Sequence, residues 1–290
     1  MTCIVCSSPL RPGLSPWHHT CPACRYEAAA LTVAINHAAQ HATIDEAERE
    51  ASLQALRQEN FRNVVALAQQ YAAPGARRLL DVGSAHGWFL ESAAARFEVL
   101  GIEPDEQVGG KAAARGLPVR IGYFPQVLQD DERFDLIVFN DVIEHIPDIR
   151  SALRDCHRHL NPDGTLVLNL PSSRGLFYRV SKLCARLGLR GPFDRMWQKG
   201  MPSPHVHYFD PHNLAALVES EGFSLRYSTE LAALKAEGLW QRLSYFGRAS
   251  RLKVALQFAV IRCLLLPLMG LFPSDIIVGI YRKRPLPDQP

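Results

Sequence analysis

Four cysteines stand near the start of the chain as two Cys-x2-Cys pairs, Cys3/Cys6 and Cys21/Cys24, with 14 residues between the pairs. Each pair can aim two thiolates at one point, and two pairs complete a tetrahedral set. The spacing therefore predicts a zinc ribbon. Four protein ligands close the coordination sphere, which makes such a zinc structural, because a catalytic zinc keeps one position for water. Two disulfides, four idle thiols, or His18 or His19 replacing one cysteine are the other arrangements open to these residues. Cys156, Cys184 and Cys263 stand singly and read as small buried apolar residues.

A second constellation begins where the apolar run LLDV reaches Gly83-Ser84-Ala85-His86-Gly87, ahead of a helix near Trp88. Gly83 permits a sharp turn and Gly87 a close approach of ligand to backbone. Glu103 follows Gly83 by twenty residues, at the end of the next apolar run, where a carboxylate can hydrogen-bond both hydroxyls of a ribose. A dinucleotide fingerprint is G-x-G-x-x-G, built to seat a pyrophosphate. Here the turn is G-x-x-x-G with Ala85 at its middle, so no pyrophosphate is expected. If Ala85 takes a positive φ, its methyl is costly there.

Three histidines could exchange protons near neutral pH: His145 in DVIEHIPD, and His205 and His207 in HVHYF. His145 follows the fourth apolar run, at the edge where open α/β sheets bind ligands, though it suits loop packing equally. His205 and His207, two apart on an extended segment, would face one side and present one of the pair as base or substrate ligand. No carboxylate pattern accompanies them to suggest a metal. Tyr178, Trp197 and Tyr208 could stack on a ring, although such aromatics more often belong to a core. Arg174, Arg179, Lys182, Arg186, Arg190, Arg195 and Lys199 could draw an acidic acceptor or simply form a solvated face.

The elements that position these groups follow from alternating apolar runs and helical stretches between Arg77 and Pro171, which predict a parallel, doubly wound α/β sheet. Residues 1–27 are expected to form the ribbon. Residues 28–75 form a linker and a helix opened by the capping box Thr43-Ile44-Asp45-Glu46, with Leu53, Leu56, Val64, Leu67 and Ala68 as its apolar stripe. Residues 76–285 form the main domain, with insertions at 173–204 over the substrate and at 237–273, an apolar helical stretch. A helix capped by Asp210, with Pro211 at its first position, and the strands FSLRYSTE and DIIVGIYRK complete it. Residues 254–272 near the length of a membrane span, but Gln257, Arg262, Pro267 and Gly270 interrupt them, so core packing, a homodimer face or a helix lying on an anionic membrane through 248–272 fits better than a span. A +3 balance, from Lys+Arg 32 against Asp+Glu 29, demands no nucleic-acid partner, and Arg11 is the sole Lys or Arg between Cys3 and Cys24. The opening MTCIVCSSPL lacks the marks of a secretory signal, so a cytoplasmic location is expected, in contact at most with the inner face of the membrane.

Taken in order, LLDVGSAHGWFL, VLGIEPD, FDLIVFNDVIEHIPD, LNPDGTLVLNLP and HVHYFDPHNLAALVESEGF resemble the class I S-adenosylmethionine-dependent methyltransferases over roughly residues 77–283. Within them the chain is similar to bacterial members with an N-terminal cysteine-rich ribbon. The resemblance implies a seven-stranded Rossmann-like sheet, with Asp81, Gly83, Ser84 and Gly87 along the methionine part of S-adenosylmethionine. It also implies Glu103 on the ribose, Ile102, Pro104 and the Gly122-Tyr123 turn around the adenine, and Asn140 at the methionine end. Methyl transfer to an oxygen of a small-molecule or glycan- or lipid-linked acceptor is the activity it implies. An RNA methyltransferase that grips through the ribbon, and a scaffold that binds the cofactor without turnover, are the alternatives.

Overall fold

A computed structural model describes residues 1–35, 46–234 and 251–285. The ribbon opens with three short strands, β1 (Arg11–Pro12), β2 (His18–Thr20) and β3 (Glu27–Ala29). Helix α1 (Glu46–Tyr71) leads into β4 (Arg78–Val82), α2 (Trp88–Ala93), β5 (Glu98–Glu103), α3 (Glu106–Ala114), β6 (Val119–Ile121) and β7 (Phe134–Asn140). Then come α4 (Ile149–His159), β8 (Leu160–Pro171), α5 (Leu176–Arg186), α6 (Gly191–Met196), β9 (His207–Tyr208), α7 (Pro211–Ser220) and β10 (Phe223–Leu231). Helices α8 (Arg251–Val260) and α9 (Leu266–Met269), joined by a π-helical turn, precede β11 (Ile276–Lys283). The expected cap at 43–45 and residues 237–250 of the apolar insertion lie outside the described residues, as do the side chains of Leu53 and Leu56.

Seven strands form one sheet in the order β10-β11-β8-β7-β4-β5-β6. The five from β6 to β8 are parallel, and β11 runs antiparallel to both β8 and β10, so β10 points the same way as the five and the doubly wound sheet is mixed. The central strands are apolar on both faces because helices cover both. Leu80, Val82, Ile137, Phe139, Leu166 and Leu168 face α4 and α7, while Leu79, Leu136, Val138 and Val167 face Val64, Val65 and Ala68 of α1 and Phe89 of α2. The chain leaves β4 toward β5 and leaves β7 toward β8, on opposite sides of the sheet. That reversal opens a crevice at the strands' carboxyl ends.

Side-chain caps fix the helix starts that face this crevice. Asp105 accepts from Gln107 and Val108 N–H, Asp148 from Ser151 N–H, and Asp210 forms a capping box with Asn213, with Pro211 at the first position as expected.

The ribbon is sewn into the main domain. Strand β3 pairs with β9, so a four-stranded sheet β1-β2-β3-β9 joins the two parts, and Cys3, Cys21 and Tyr26 share one apolar cluster with Leu153, Phe209 and Leu214. Glu27, buried, accepts from His18 Nε2 (2.8 Å), the Tyr178 hydroxyl (2.8 Å) and Lys182 Nζ (2.6 Å). Asn213 Nδ2 donates to Cys24 O (3.0 Å) and Arg150 Nε to Ile4 O (2.9 Å). Among the described residues no helix is long and apolar enough to cross a membrane. Of the single cysteines, Cys156 is buried as expected, whereas Cys184 is half-buried and Cys263 exposed.

Candidate active site

The crevice widens into a cavity of about 650 Å³. Pairing register sets its floor: Asp81 lies opposite Gly101 on one side and Val138 on the other, and Asn140 lies opposite Asn169. Asn169 Nδ2 donates to Asn140 Oδ1 (3.3 Å), and Asn140 Nδ2 donates to Asp81 Oδ1 (3.2 Å). Asp81 is 1% exposed and, among the described residues, has no cation beside it. Burial, reinforced by the charge of Glu103 and opposed by Asn140, pushes its carboxyl up to about 8.

The turn after β4 passes Gly83 at φ 73°, Ala85 at φ 44° and Gly87 at φ 77°. A Cβ on Gly83 would stand 2.5 Å from Val142 Cγ2, so glycine is needed there for space as well as conformation. Ala85 does adopt the left-handed region, and its N–H donates to Glu103 Oε2 (2.8 Å) while Asp105 N–H donates to Oε1 (2.8 Å). These two donors hold the Glu103 carboxylate in place, and each oxygen keeps a lone pair for a further hydroxyl donor. Burial nevertheless raises its pKa above the usual carboxylate value.

Ser84 lines the cavity with its backbone committed to the loop, N–H to Ile102 O and C=O to Gly87 N–H. Its hydroxyl packs over Gly101, where a Cβ would lie 2.6 Å from Oγ. Ile102, Pro104, Tyr123 and Phe124 line the cavity, whereas Gly122 does not border it and ties the loop to Glu103 O through its N–H (2.9 Å). Gly87 starts α2 and does not border the cavity.

The other end of the cavity is built by the turn after β7 and by residues 198–205. Asp141, at φ 55°, Glu144 and His145 come from the first, and Gln198, Met201 and His205 from the second. Val33 and Ile35, just past the ribbon, close one wall, and Ala34 N–H donates to Pro202 O (2.7 Å). His145 Nδ1–H donates to Pro204 O (2.9 Å), which leaves Nε2 as the lone-pair nitrogen, and burial lowers its pKa. The His145 and His205 rings pack edge to face at 4.7 Å.

Away from the cavity, the four ribbon sulfurs lie within 4.8 Å of one another, with Cys3–Cys24 at 3.5 Å and Cys6–Cys21 at 3.4 Å. Those separations are far longer than a disulfide and close to the ~3.8 Å edge of a tetrahedron with ~2.3 Å zinc–sulfur bonds. The two knuckles are copies of one turn. Ser7 and Arg25, each following the second cysteine of its pair, both have positive φ (61° and 65°) and donate N–H to the carbonyl of the pair's first cysteine at 3.0 Å. His18 is no ligand, since Nδ1 accepts from Leu14 N–H and Nε2 binds Glu27.

A family model described as a methyltransferase domain matches residues 49–228, more than half of the chain. The chain belongs to this methyltransferase family. It is similar to the ubiquinone biosynthesis O-methyltransferase of Xanthomonas campestris pv. campestris, 30% identical over 175 residues, 55% of this chain and 67% of that one. It is also similar to the mitochondrial ubiquinone biosynthesis O-methyltransferase of Bos taurus, 26% identical over 195 residues, 63% of this chain and 50% of that one. The chain thus spans about half the length of the bovine relative. Among solved structures, a SAM-dependent methyltransferase of Thermotoga maritima, described as a possible histamine N-methyltransferase, superposes with a TM-score of 0.54 at 16% identity, covering 84% of this chain and 96% of that one. The cyclopropane synthase MmaA2 of Mycobacterium tuberculosis gives 0.51 at 19% identity, over 76% and 82%. At these identities the match is one of fold.

In this chain the histidines divide differently from the sequence expectation. His145 and His205 line the cavity, but His207 does not. Its Nε2–H donates to Ile146 O (2.9 Å) and its Nδ1 accepts from the Tyr26 hydroxyl, so both ring nitrogens are spent joining the ribbon to the loop after β7. His205 precedes β9 and borders the cavity, whereas His207 lies within β9 and its surroundings are filled by protein. Tyr178, Trp197 and Tyr208 are likewise core, at most 1% exposed, in a cluster with Trp17 and Phe193. Among the basic residues of the insertion, Lys182 reaches Glu27 and Lys199 reaches Asp194 (3.4 Å). Glu144, which sequence reasoning passed over, lies beside His145 and His205, and its adjacency to His145 in the chain was the available signal.

Proposed function

We propose that the protein transfers a methyl group from S-adenosylmethionine to an oxygen of a small-molecule or glycan- or lipid-linked acceptor. One observation carries the reading: a single cavity joins a nucleoside-shaped end, built on Glu103 and the Gly83 turn, to an end lined by neutral histidine. The relatives, named as O-methyltransferases of ubiquinone biosynthesis, support oxygen as the acceptor atom and a small molecule as its carrier.

S-adenosylmethionine supplies a methyl on a sulfonium, already activated for in-line displacement. What the protein must add is position and exclusion of water. Glu103, oriented by Ala85 and Asp105 N–H, would take the ribose hydroxyls. Asp81, a buried carboxyl without a cation, would meet the positive methionine end, with Asn140 fixing its orientation. As the oxygen–methyl bond forms and the sulfur–methyl bond breaks, the acceptor hydroxyl must lose its proton. His145 Nε2, kept neutral by burial, suits that role. Cys3, Cys6, Cys21 and Cys24 would hold a structural zinc that stiffens residues 1–27, from which the wall at Val33 and Ile35 extends.

Calorimetry of S-adenosylmethionine with zinc-loaded wild type and with Glu103→Ala tests the reading. Two hydroxyl bonds to a charged acceptor, at ~1.5 kcal/mol or more each, put the expected loss at about 100-fold. A folded wild type that binds none refutes it.

A further inference from the structure

The short turn after β7 leaves Glu144 in an unusual position. Its side chain is 0% exposed, and neither carboxylate oxygen has a hydrogen-bond partner. Buried carboxylates are ordinarily paired or hydrogen-bonded, because an unpaired charge in a dry interior costs several kcal/mol. Two ring nitrogens stand near Oε1 at equal distance, His145 Nε2 at 3.9 Å and His205 Nε2 at 3.9 Å, both too long for hydrogen bonds. The three ligand atoms lie within 4.8 Å of one another. His145 is already in the tautomer a metal requires, with Nδ1–H held by Pro204 O and the Nε2 lone pair available, the outer-shell arrangement usual for a ligating histidine. All three residues border the cavity at the end away from Glu103.

We propose that Glu144, His145 and His205 hold a divalent transition-metal ion at the acceptor end of the cavity. Two imidazoles and one carboxylate form a ligand set that selects zinc, iron or manganese over magnesium or calcium, and three protein ligands leave positions open toward the cavity. Ligands meeting at a tetrahedral angle on an ion with ~2.1 Å bonds lie ~3.4 Å apart. The observed 3.9 Å separations therefore close by about half an ångström when the ion enters. Gln198 Nε2, 2.9 Å from His205 Nε2, donates to the lone pair that the ion would take, and its amide turns aside on binding. Asp141, on the same loop, borders the cavity beside them. The consequence for catalysis rests on the methyltransferase reading above: with His145 Nε2 on the ion instead of acting as base, an acceptor hydroxyl on an open position would be acidified by the ion, lose its proton to water and be held for methyl transfer.

The test is zinc calorimetry on the full chain, already carrying one equivalent of zinc in the cysteine cluster, together with S-adenosylmethionine calorimetry on the same samples. Wild type is expected to bind a second zinc equivalent, and Glu144→Gln and His205→Asn each to weaken it at least tenfold while keeping the wild-type circular dichroism spectrum. Glu144→Gln replaces the carboxyl with an amide of the same shape, so it guards against loss of the fold. Wild type that binds S-adenosylmethionine but no second zinc overturns the metal site, as does a second zinc bound equally by both variants. A second zinc lost in the variants, with no S-adenosylmethionine bound by wild type, leaves the metal site standing and removes the methyltransferase reading.

Discussion

Replacing Asp81 with asparagine should make the protein more stable and less able to bind its cofactor, and the two effects can be measured apart. Asp81 is 1% exposed, and its carboxyl is raised from 3.8 to about 8, chiefly by burial. The folded state therefore binds a proton that the unfolded chain has released throughout the interval between these values. Stability from this group falls as pH rises from about 4 to about 8 and is level beyond. Four pH units at ~1.4 kcal/mol each amount to a cost of about 6 kcal/mol at pH 8 and above. Asparagine keeps the bond from Asn140 Nδ2 through its own Oδ1 and carries no charge to desolvate. The assay is urea unfolding of wild type and Asp81→Asn at pH 5, 6, 7 and 8. The difference in unfolding free energy should widen toward pH 8 in favour of the variant, and taking the difference cancels the other titrating groups. S-adenosylmethionine affinity, measured at pH 8, should fall in the variant because the positive methionine end loses its counter-charge. Parallel pH profiles for the two proteins would refute the reasoning, since they would mean that Asp81 is ionised in the fold at no cost.

Ala85→Gly relieves a side chain at φ 44° while keeping the N–H donated to Glu103, and should raise stability by about 1 kcal/mol in thermal unfolding; an unchanged or lower melting temperature goes against it. His207→Phe strands the Tyr26 hydroxyl and Ile146 O and should cost about 3 kcal/mol in urea unfolding, without changing the rate of methyl transfer per folded molecule. A loss of turnover with stability intact would return His207 to the catalytic groups. That histidine is held down to about 4 by burial, so the wild-type stability it undermines is lost as pH falls from about 6.5 to 4, and the variant should be insensitive over that range. Removing zinc with a strong chelator should lower the melting temperature of the whole chain, because Cys3 and Cys21 belong to the main apolar cluster, and one equivalent of zinc should restore it; no shift, with no zinc found by metal analysis, removes the metal from the ribbon.

What the sequence alone determined was local. Cys3/Cys6 and Cys21/Cys24 each sit in one tight turn, and the positions of Gly83 and Glu103 follow from one strand-turn-helix-strand unit, so spacing along the chain specifies geometry in space. The alternation of apolar runs announced the parallel strands for the same reason, because a strand buried on both faces must be apolar throughout. The sequence could not order the sheet's edge, where β11 inserts between β8 and β10, since that choice depends on which faces the helices leave uncovered. Nor could it separate His205 from His207. Alternation predicts them on one side of an extended segment, but only the pairing of β9 with β3 brings Tyr26 against His207, while the return of residues 198–205 brings His205 to Glu144 and His145. Such contacts join positions some 60 to 180 residues apart, as in Glu144 with His205 and Tyr26 with His207, and no periodicity links such positions until the chain has packed.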